Sequence, residues 1–452
     1  MNKNGLILAI SILALAGAVL ADDLAVTVYN SNLGVVSEAR QLEFTKGTGR
    51  LAFRDVPSQI DAASVRFDVI EPGHKVDVLE QNYAFDLVSP DQLFSKYVDQ
   101  RVELVGKDGA IYAGTLLAYS GGAVTLMDES GKVKIMSMEN IVQTNFPSLP
   151  EGLITRPTLF WNYQSDFGGK LNCRVSYQTA GMNWDAEYVG VLNQKETNLG
   201  LSGWASINNT SGKTFKDAKL KLIAGDINRV AQPLPKRYAG EEMVAMAAAP
   251  APGFEEKAFF EYHMYTLPRP STLANNEIKQ ISLFEPASTT VKKVYYYRPD
   301  RNATDVQVTV EFVNSAQAGL GMPLPAGRVR LFKADDDGSM VLLGEDQIKH
   351  TPKDEEMSLT VGTAFDIKAE EKLVNQTQVS KKVEDREYQI ELRNRKTEPV
   401  TIKVEKQLWG FWEITQSTHE YKKKDANTLT FEVPVKAADT SVVKYTVRLT
   451  SR

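Results

Sequence analysis

Apolar and polar residues alternate along most of this chain, and this period of two constrains the fold more than any other feature. Val26 and Val28 alternate with polar neighbours near the start, and Val306, Val308 and Val310 repeat the pattern later. Successive side chains of a β-strand point to opposite faces, so the pattern predicts strands with one buried and one solvated face. The regular spacing of turns favours β-sandwich units of broadly immunoglobulin-like architecture. We therefore predict a mainly β, multi-domain protein.

A short helix and five short strands are predicted over residues 89–147. Ser89 and Pro90 are suited to cap and begin the helix. Gly114 lies within the second strand, where a glycine indicates a bend or a bulge. This arrangement resembles a small Sm-like or SH3-like five-strand barrel. It lacks the Arg-Gly pair that Sm-like RNA-binding proteins carry before the fifth strand, so we expect a packing or docking module.

The predicted strands group into several units. At about 150 residues per domain, a chain of 452 residues holds two to four domains. We predict an N-terminal β unit over residues 22–88, the barrel over 89–147, a central β domain over 150–300 and a C-terminal β-sandwich over 301–452. Within the central domain, residues 240–256 are rich in Ala and Pro without periodicity. This composition predicts a connecting loop, with a ligand lid as the alternative.

Two turns predict β-hairpins. The run Lys-Gly-Thr-Gly at residues 46–49 separates the strand that holds Phe44 from the strand that holds Phe53. The acidic run at residues 335–338 separates two later strands and superficially resembles a calcium-binding loop. However, Met340 and Asp346 stand where an EF-hand needs Gly and Glu, so a hairpin turn explains the acidic run better.

An uncharged, almost wholly apolar run follows Lys3 and ends at Ala21. Val19 and Ala21 place compact residues at the −3 and −1 positions of a cleavage site, which predicts a signal peptide over residues 1–21. A retained N-terminal anchor is the alternative, but the run is short for a membrane span and an acidic pair follows it. We therefore expect a periplasmic or secreted protein, with cleavage after Ala21 and no transmembrane anchor afterwards.

The charge and the cysteine count limit the partners and the chemistry. The formal net charge is −5, and a mildly acidic chain lacks the clustered Lys and Arg that nucleic acid requires. The single cysteine, Cys173, excludes an internal disulfide, so packing must stabilise the fold. Cys173 lies in a predicted strand, which favours a buried thiol. A reactive nucleophile is the alternative, although no His or acid is near it in sequence.

Several short stretches, taken in their order along the chain, resemble one bacterial family. They are residues 28–30, 34–36, 184–188, 208–212, 217–218, 222–226, 265–272, 324–327, 344–346 and 445–448. In these stretches the chain resembles exported proteins grouped as a domain of unknown function, DUF4139. The resemblance implies an exported, mostly β protein and supplies no catalytic residues.

The best candidate for ligand binding is an aromatic cluster of Trp409, Phe411 and Trp412. On a strand, Trp409 and Phe411 share one face and Trp412 takes the other. Exposed rings could stack on a sugar or on a protein partner, whereas buried rings would belong to the core. We predict no catalytic residue, no cofactor and no metal site, because the four histidines are far apart in sequence and no nucleotide-binding or nucleophile motif occurs.

Two functions follow from this pattern. The first is a non-catalytic protein of the cell envelope that binds a protein or glycan partner through its β modules. The alternative is an exported carbohydrate-active or other hydrolase, in which paired carboxylates such as Glu345 and Glu413 flank a cleft near Trp412. A secreted adhesion or assembly subunit is a third interpretation. The pattern favours a protein that is not an enzyme and predicts no particular oligomeric state.

Overall fold

The computed structural model describes residues 23–85, 89–148, 154–225, 227–228 and 254–450. The predicted signal peptide lies outside these residues, as does the predicted loop over 240–256 except for its last three residues. Strands dominate the described residues, which contain one α-helix. The prediction of a mainly β protein is therefore confirmed.

The first half of the chain holds fifteen strands and the helix within its described part. Before the helix come β1 (Ala25–Tyr29), β2 (Leu33–Phe44), β3 (Gly47–Arg54), β4 (Ile60–Val69) and β5 (Val76–Ala84). Helix α1 (Pro90–Lys96) is followed by β6 (Arg101–Gly106), β7 (Ile111–Ser120), β8 (Ala123–Met127), β9 (Val133–Ser137) and β10 (Ile141–Asn145). Five longer strands follow: β11 (Thr158–Ser165), β12 (Gly169–Thr179), β13 (Met182–Leu192), β14 (Asn198–Asn209) and β15 (Phe215–Ala224).

The second half continues with short strands and one very long one. The short strands are β16 (Glu255–Phe259), β17 (Tyr262–Thr266), β18 (Ser271–Leu273), β19 (Glu277–Ser282), β20 (Ala287–Thr290) and β21 (Lys292–Tyr297). Next come β22 (Asp305–Val313), β23 (Gly327–Ala334), β24 (Met340–Ile348) and the long β25 (Glu356–Ser380). The last strands are β26 (Val383–Asn394), β27 (Val400–Gln407), β28 (Phe411–Ser417), β29 (Tyr421–Lys423), β30 (Thr428–Val435) and β31 (Thr440–Thr450).

These strands form five sheets within the described residues. The eight-stranded sheet has the order β16-β17-β15-β1-β2-β12-β4, with β18 also paired to β15. The six-stranded sheet has the order β19-β14-β13-β23-β24, with β20 also paired to β14, and the three-stranded sheet has the order β3-β11-β5. The nine-stranded sheet runs β28-β31-β26-β25-β22-β21-β27-β30-β29, and the five-stranded sheet runs β10-β6-β7-β8-β9.

Parallel pairings join parts of the chain that are distant in sequence. β1 pairs in parallel with β15, β13 with β23, and β21 with β27. Strands from residues 22–88 therefore share the eight-stranded sheet with strands from residues 150–300. Similarly, β23 and β24 join the sheet of β13 and β14, although they lie beyond residue 301. The borders expected from the sequence thus divide strands that share a sheet.

Two large hydrophobic cores hold the sheets together. The first core combines strands of the eight-, six- and three-stranded sheets and buries large aromatic side chains such as Trp161 and Trp184. The second core lies between the two halves of the nine-stranded sheet, where Phe431 and Tyr445 pack with ring centroids 5.3 Å apart. Strand β25 contributes Leu359 to the first core and Ile367 to the second, so one strand belongs to both.

The predicted helix and five strands over residues 89–147 are present. Ser89 caps α1, since its side-chain oxygen accepts a hydrogen bond from the Gln92 backbone N–H at 3.2 Å. Gly114 lets β7 pass close to β8, because a Cβ there would lie 2.4 Å from the Met127 carbonyl oxygen. The edge strands β9 and β10 form no ladder with each other within residues 89–148, so the unit is an antiparallel sheet with its own small core.

One predicted hairpin is wrong and the other is confirmed. β2 and β3 do not pair, because the chain passes from the eight-stranded to the three-stranded sheet between them. At this corner the Thr45 N–H donates to the Tyr163 hydroxyl oxygen at 2.9 Å. Phe44 and Phe53 both lie in strands and are buried, but alternation does not specify which strand pairs with which. The acidic run at residues 335–338 does form the turn between β23 and β24.

No helix in the described ranges has both the length and the apolar character required to cross a membrane.

Candidate functional site

The three predicted aromatic residues lie where the nine-stranded sheet ends. β28 is the terminal strand of this sheet and begins at Phe411, so Trp409 precedes the strand, before a turn at Gly410 with φ of 84°. Trp409 is 74% exposed and Phe411 is 57% exposed, whereas Trp412 is only 9% exposed. The structure therefore separates the cluster into two surface rings and one core ring.

The core ring fixes the position of the strand. The Trp412 indole Nε1–H donates to the Ala426 carbonyl oxygen at 2.8 Å. The Lys423 ammonium lies 4.2 Å from the centre of the Trp412 ring, within range of a cation–π interaction. Because Trp412 is held from two sides, the neighbouring Phe411 projects from a well-supported backbone.

Cross-strand pairing extends the surface from Phe411 across the sheet. Residues directly opposite each other in antiparallel strands lie on the same face. Phe411 is paired with Thr450, which is in turn paired with Val383. The next row on this face consists of Glu413, Arg448 and Asp385. We call this face, with Phe411, Glu413, Arg448 and Asp385, together with the exposed Trp409 just before β28, the aromatic platform.

The charged row of the aromatic platform is internally paired. The Arg448 guanidinium donates from Nε and Nη2 to the two Asp385 carboxylate oxygens, both at 2.8 Å. This hydrogen bonding and the charge of Arg448 lower the pKa of Asp385. Glu413 lies 3.9 Å from Arg448 Nη1 and is 64% exposed. The row therefore offers fixed donors and acceptors beside the exposed rings.

Beyond the aromatic platform, the chain from β28 to β29 bends around an open concavity. Residues 414–421 line it, and its volume is about 650 Å³. Most of its side chains carry hydroxyl, amide or imidazole groups, as in the run Thr-Gln-Ser-Thr-His at residues 415–419. Thr418 is tied to Lys444 of β31, since its hydroxyl accepts from the Lys444 N–H at 2.9 Å. The concavity thus adds polar groups to the same edge of the sheet.

The carboxylates considered for a hydrolase lie apart. Glu345 is on β24 of the six-stranded sheet, and Glu413 is on β28 of the nine-stranded sheet. Glu345 forms an ion pair with Arg330 at 2.9 Å, and both glutamates are more than a third exposed. The structure does not bring these two acids together across a cleft.

Two histidines that are distant in sequence line one cavity. His263 of β17 and His350, just after β24, both contact a cavity of about 210 Å³. The His263 imidazole Nδ1 lies 2.7 Å from a Glu256 carboxylate oxygen, and His350 Nδ1 accepts from the Ala326 N–H at 3.1 Å. No group of three or more His, Cys, Asp or Glu in the described chain is arranged to hold a metal ion.

A second cavity of about 310 Å³ adjoins the first. Tyr265, Pro323 and Pro325 form the wall that the two cavities share. We call the two cavities together the Tyr265 groove. Three stretches that carry the family resemblance, 222–226, 265–272 and 324–327, contribute residues to it. Sequence reasoning missed this groove because its residues come from separate strands; the clustering of prolines around Leu324 was the only local signal.

The sequence profile of one protein family matches residues 173–450, and its description reads "Domain of unknown function (DUF4139)". The matched range covers more than half of the chain and contains both the aromatic platform and the Tyr265 groove. A search of curated proteins gave no match.

Proposed function

The chain belongs to the DUF4139 family, and from this premise we propose that it is a non-catalytic binding protein of the cell envelope. It is exported through the signal peptide predicted over residues 1–21 and binds a glycan partner through the aromatic platform. The observation that carries the proposal is the exposure of Trp409 and Phe411, two residues apart in sequence, next to a buried Trp412.

Trp409 and Phe411 give this end of the sheet two exposed rings close together in sequence. All five tryptophans lie in described residues, and Trp409 alone is more than a third exposed. Burial of large apolar side chains is stabilising, and exposed apolar groups that occur together are typical of interaction sites. The two rings of the aromatic platform therefore support a binding role.

The polar surroundings favour a glycan over a protein as the partner. One face of a pyranose ring carries C–H groups that pack on an aromatic ring, while its hydroxyls need both donors and acceptors. The row of Glu413, Arg448 and Asp385 supplies both kinds of group. The concavity at residues 414–421 adds hydroxyl and amide groups along the same strand.

The hydrolase alternative receives less support. Retaining and inverting glycosidases need two carboxyl groups across one cleft. Glu345 and Glu413 lie on different sheets, and an arginine neighbours each of them. We therefore retain binding without catalysis as the proposed activity.

The finer architecture is part of the same proposal. We infer that the nine-stranded sheet and its core form an immunoglobulin-like sandwich, because its two halves share one set of buried side chains. We also infer that residues 89–147 form an SH3-like unit. The strand order β10-β6-β7-β8-β9, the preceding helix and the 3₁₀ turn Met138–Asn140 before the last strand support this inference.

Calorimetric titrations with glycans test the proposal. The probes are cellohexaose, chitohexaose and fragments of purified peptidoglycan. We expect at least one of them to bind the intact chain saturably. The double variant Trp409→Ala/Phe411→Ala should weaken that binding by about 5- to 100-fold, since each lost ring contact is worth about 0.5–1.5 kcal/mol.

A matched control separates binding from folding. Phe365 on β25 is 91% exposed and lies outside the aromatic platform, so Phe365→Ala should leave glycan affinity unchanged. Both sets of variants should keep the free energy of unfolding within about 0.5 kcal/mol of the parent. If no glycan binds, and the double variant instead loses an envelope protein captured by the parent chain, the glycan proposal is wrong.

A further inference from the structure

The Tyr265 groove has the size and composition of a small-molecule site. Its two cavities, of about 210 and about 310 Å³, adjoin at Tyr265, Pro323 and Pro325. Small-molecule sites are typically clefts of about 300–1,000 Å³ with mostly apolar walls and a few polar groups. The larger cavity fits this description, because Phe254, Phe284 and other apolar side chains form most of its wall.

The walls are held in place before any ligand arrives. The buried Tyr265 hydroxyl donates to the Pro323 carbonyl oxygen at 3.1 Å, and the Tyr188 hydroxyl donates to the Pro325 carbonyl oxygen at 2.8 Å. Between the two prolines, Leu324 and Thr351 exchange two backbone hydrogen bonds of 2.9 Å. A preorganised wall lowers the cost of ordering on binding, so this rigidity favours a ligand site.

Three carboxylates line the groove, and the basic side chains that line it among the described residues are His263 and His350 of the smaller cavity. Glu256 and Glu285 contact the larger cavity, and Glu261 contacts the smaller one. No lysine or arginine of the described residues lines either cavity. Glu256 lies opposite Tyr265 in the β16–β17 ladder, which places a carboxylate beside the shared wall. Burial raises the pKa of Tyr265, and the charge of Glu256 raises it further, so this phenol stays neutral.

We propose that the Tyr265 groove binds a small organic cation with an apolar body, such as an arylalkyl amine. The ammonium group would lie at Glu256 and Glu285 in the larger cavity, whose described lining residues include no lysine, arginine or histidine. The His263 imidazole contacts Glu256 from the side of the smaller cavity. The apolar body would pack against Phe254, Phe284 and the two prolines. Aromatic walls add attraction for a cation through their ring faces. This site is independent of the aromatic platform and of the glycan proposed there.

Calorimetric titration of the full chain with matched probes tests this inference. The probes are 2-phenylethylammonium, the anion 3-phenylpropionate and the neutral 2-phenylethanol, which share one aromatic ring and differ in charge. We expect saturable binding of the ammonium probe below about 1 mM, and binding of the anion at least about tenfold weaker. Equal affinity for the cation and the anion would contradict the proposal.

Charge-removing variants then locate the site. Glu256→Gln/Glu285→Gln should weaken binding of 2-phenylethylammonium at least about tenfold, since both carboxylates are replaced by neutral groups of the same shape. Glu277→Gln removes one exposed carboxylate outside the groove and should have no effect. The platform variant Trp409→Ala/Phe411→Ala should also bind the amine normally, which distinguishes failure here from failure of the glycan proposal. Retained affinity in the Glu256/Glu285 variant would overturn the inference.

Discussion

The Cys173 thiol lies in a small core between the eight-stranded and three-stranded sheets, where solvent does not reach it. Its sulfur lies 3.7 Å from the Leu171 carbonyl oxygen. Burial raises the pKa of Cys173 to about 12, and the charge of Glu71 adds to the effect. The expectation of a buried thiol is therefore confirmed. Because only the thiolate is a strong nucleophile, the raised pKa also disfavours the reactive alternative.

We predict that native Cys173 is almost unreactive. Ellman's reagent at pH 8 should label the folded chain at least about 100-fold more slowly than the urea-unfolded chain, because the folded thiol is both protonated and inaccessible. The measurement is the rise in absorbance at equal protein concentration. Rapid stoichiometric labelling of the folded chain would show that the core around Cys173 opens readily.

Alternation identified the candidate residues of the aromatic platform only in part. It correctly placed Phe411 and Trp412 on opposite faces of a strand, because successive strand residues always point to opposite faces. Alternation could not tell which face of β28 is buried. The buried face is the one that shares a core with side chains of β30, and β30 does not pair with β28. The convergence of His263 and His350 was equally hidden, because no local pattern links the two.

Among the secondary-structure elements, sequence motifs predicted best those whose contacts are with residues nearby in sequence. Ser89 and Pro90 predicted the start of α1, and all five following strands form near their predicted positions. Strands β6 to β9 each pair with the next strand in sequence, so most sequence neighbours in this unit are also spatial neighbours. The predicted hairpin at residues 46–49 was wrong because β2 and β3 pair with the later strands β12 and β11.

The cap of α1 makes a prediction about this element alone. Ser89→Ala removes the side-chain acceptor of the Gln92 N–H, which should destabilise the helix by about 1 kcal/mol. Amide hydrogen exchange of residues 91–97 should accelerate, while exchange in β26 stays unchanged. Ser130→Ala, which alters an exposed turn in the same unit, is the control. Equal protection of the helix amides in Ser89→Ala and the parent would contradict the capping role.

At the scale of the whole molecule, ion pairs join strands across the nine-stranded sheet. Burial by itself raises the pKa of Glu405, but hydrogen bonds and charge from Lys424 and Arg298 outweigh it and leave the pKa below its ordinary value. Burial by itself lowers the pKa of Lys406, but Glu371 and Asp300 outweigh it and leave the pKa raised. Both groups therefore stabilise the folded chain in their charged forms.

These pKa shifts predict that the folded chain is most stable over a middle range of pH and less stable at acid and at alkaline pH. A carboxylate with a lowered pKa stabilises the fold above its unfolded pKa, and this contribution is lost as the pH falls. A lysine with a raised pKa stabilises the fold below its unfolded pKa, and this contribution is lost as the pH rises. We expect the urea midpoint to be highest between about pH 5 and pH 10 and to fall on either side.

A single variant separates the two sides of that profile. Glu405→Gln removes the carboxylate. The urea midpoint of this variant should therefore fall less steeply below about pH 5 than that of the parent, while the fall at alkaline pH persists. The measurement is urea unfolding at equal ionic strength across the pH range. A midpoint that does not change between pH 7 and pH 3 in the parent chain would contradict the assigned role of the ion pairs.

Sequence patterns could not predict how the sheets are assembled. The ladders of β1 with β15 and of β13 with β23 join segments separated by many intervening strands. Alternation is the same whichever strand is the neighbour, so period two predicts strands and buried faces without predicting partners. For the same reason, alternation does not predict that β25 contributes to both large cores.

The parallel neighbour of β1 has a consequence for how the protein is made. β1 begins at Ala25 and lies beside β15, which ends at Ala224, so nearly half of the chain separates the two. If the polypeptide crosses a membrane unfolded and N-terminus first, its leading strand reaches the far side long before its companion does. During that interval β1 has β2 as its ladder partner, and its other edge stays unpaired until β15 arrives.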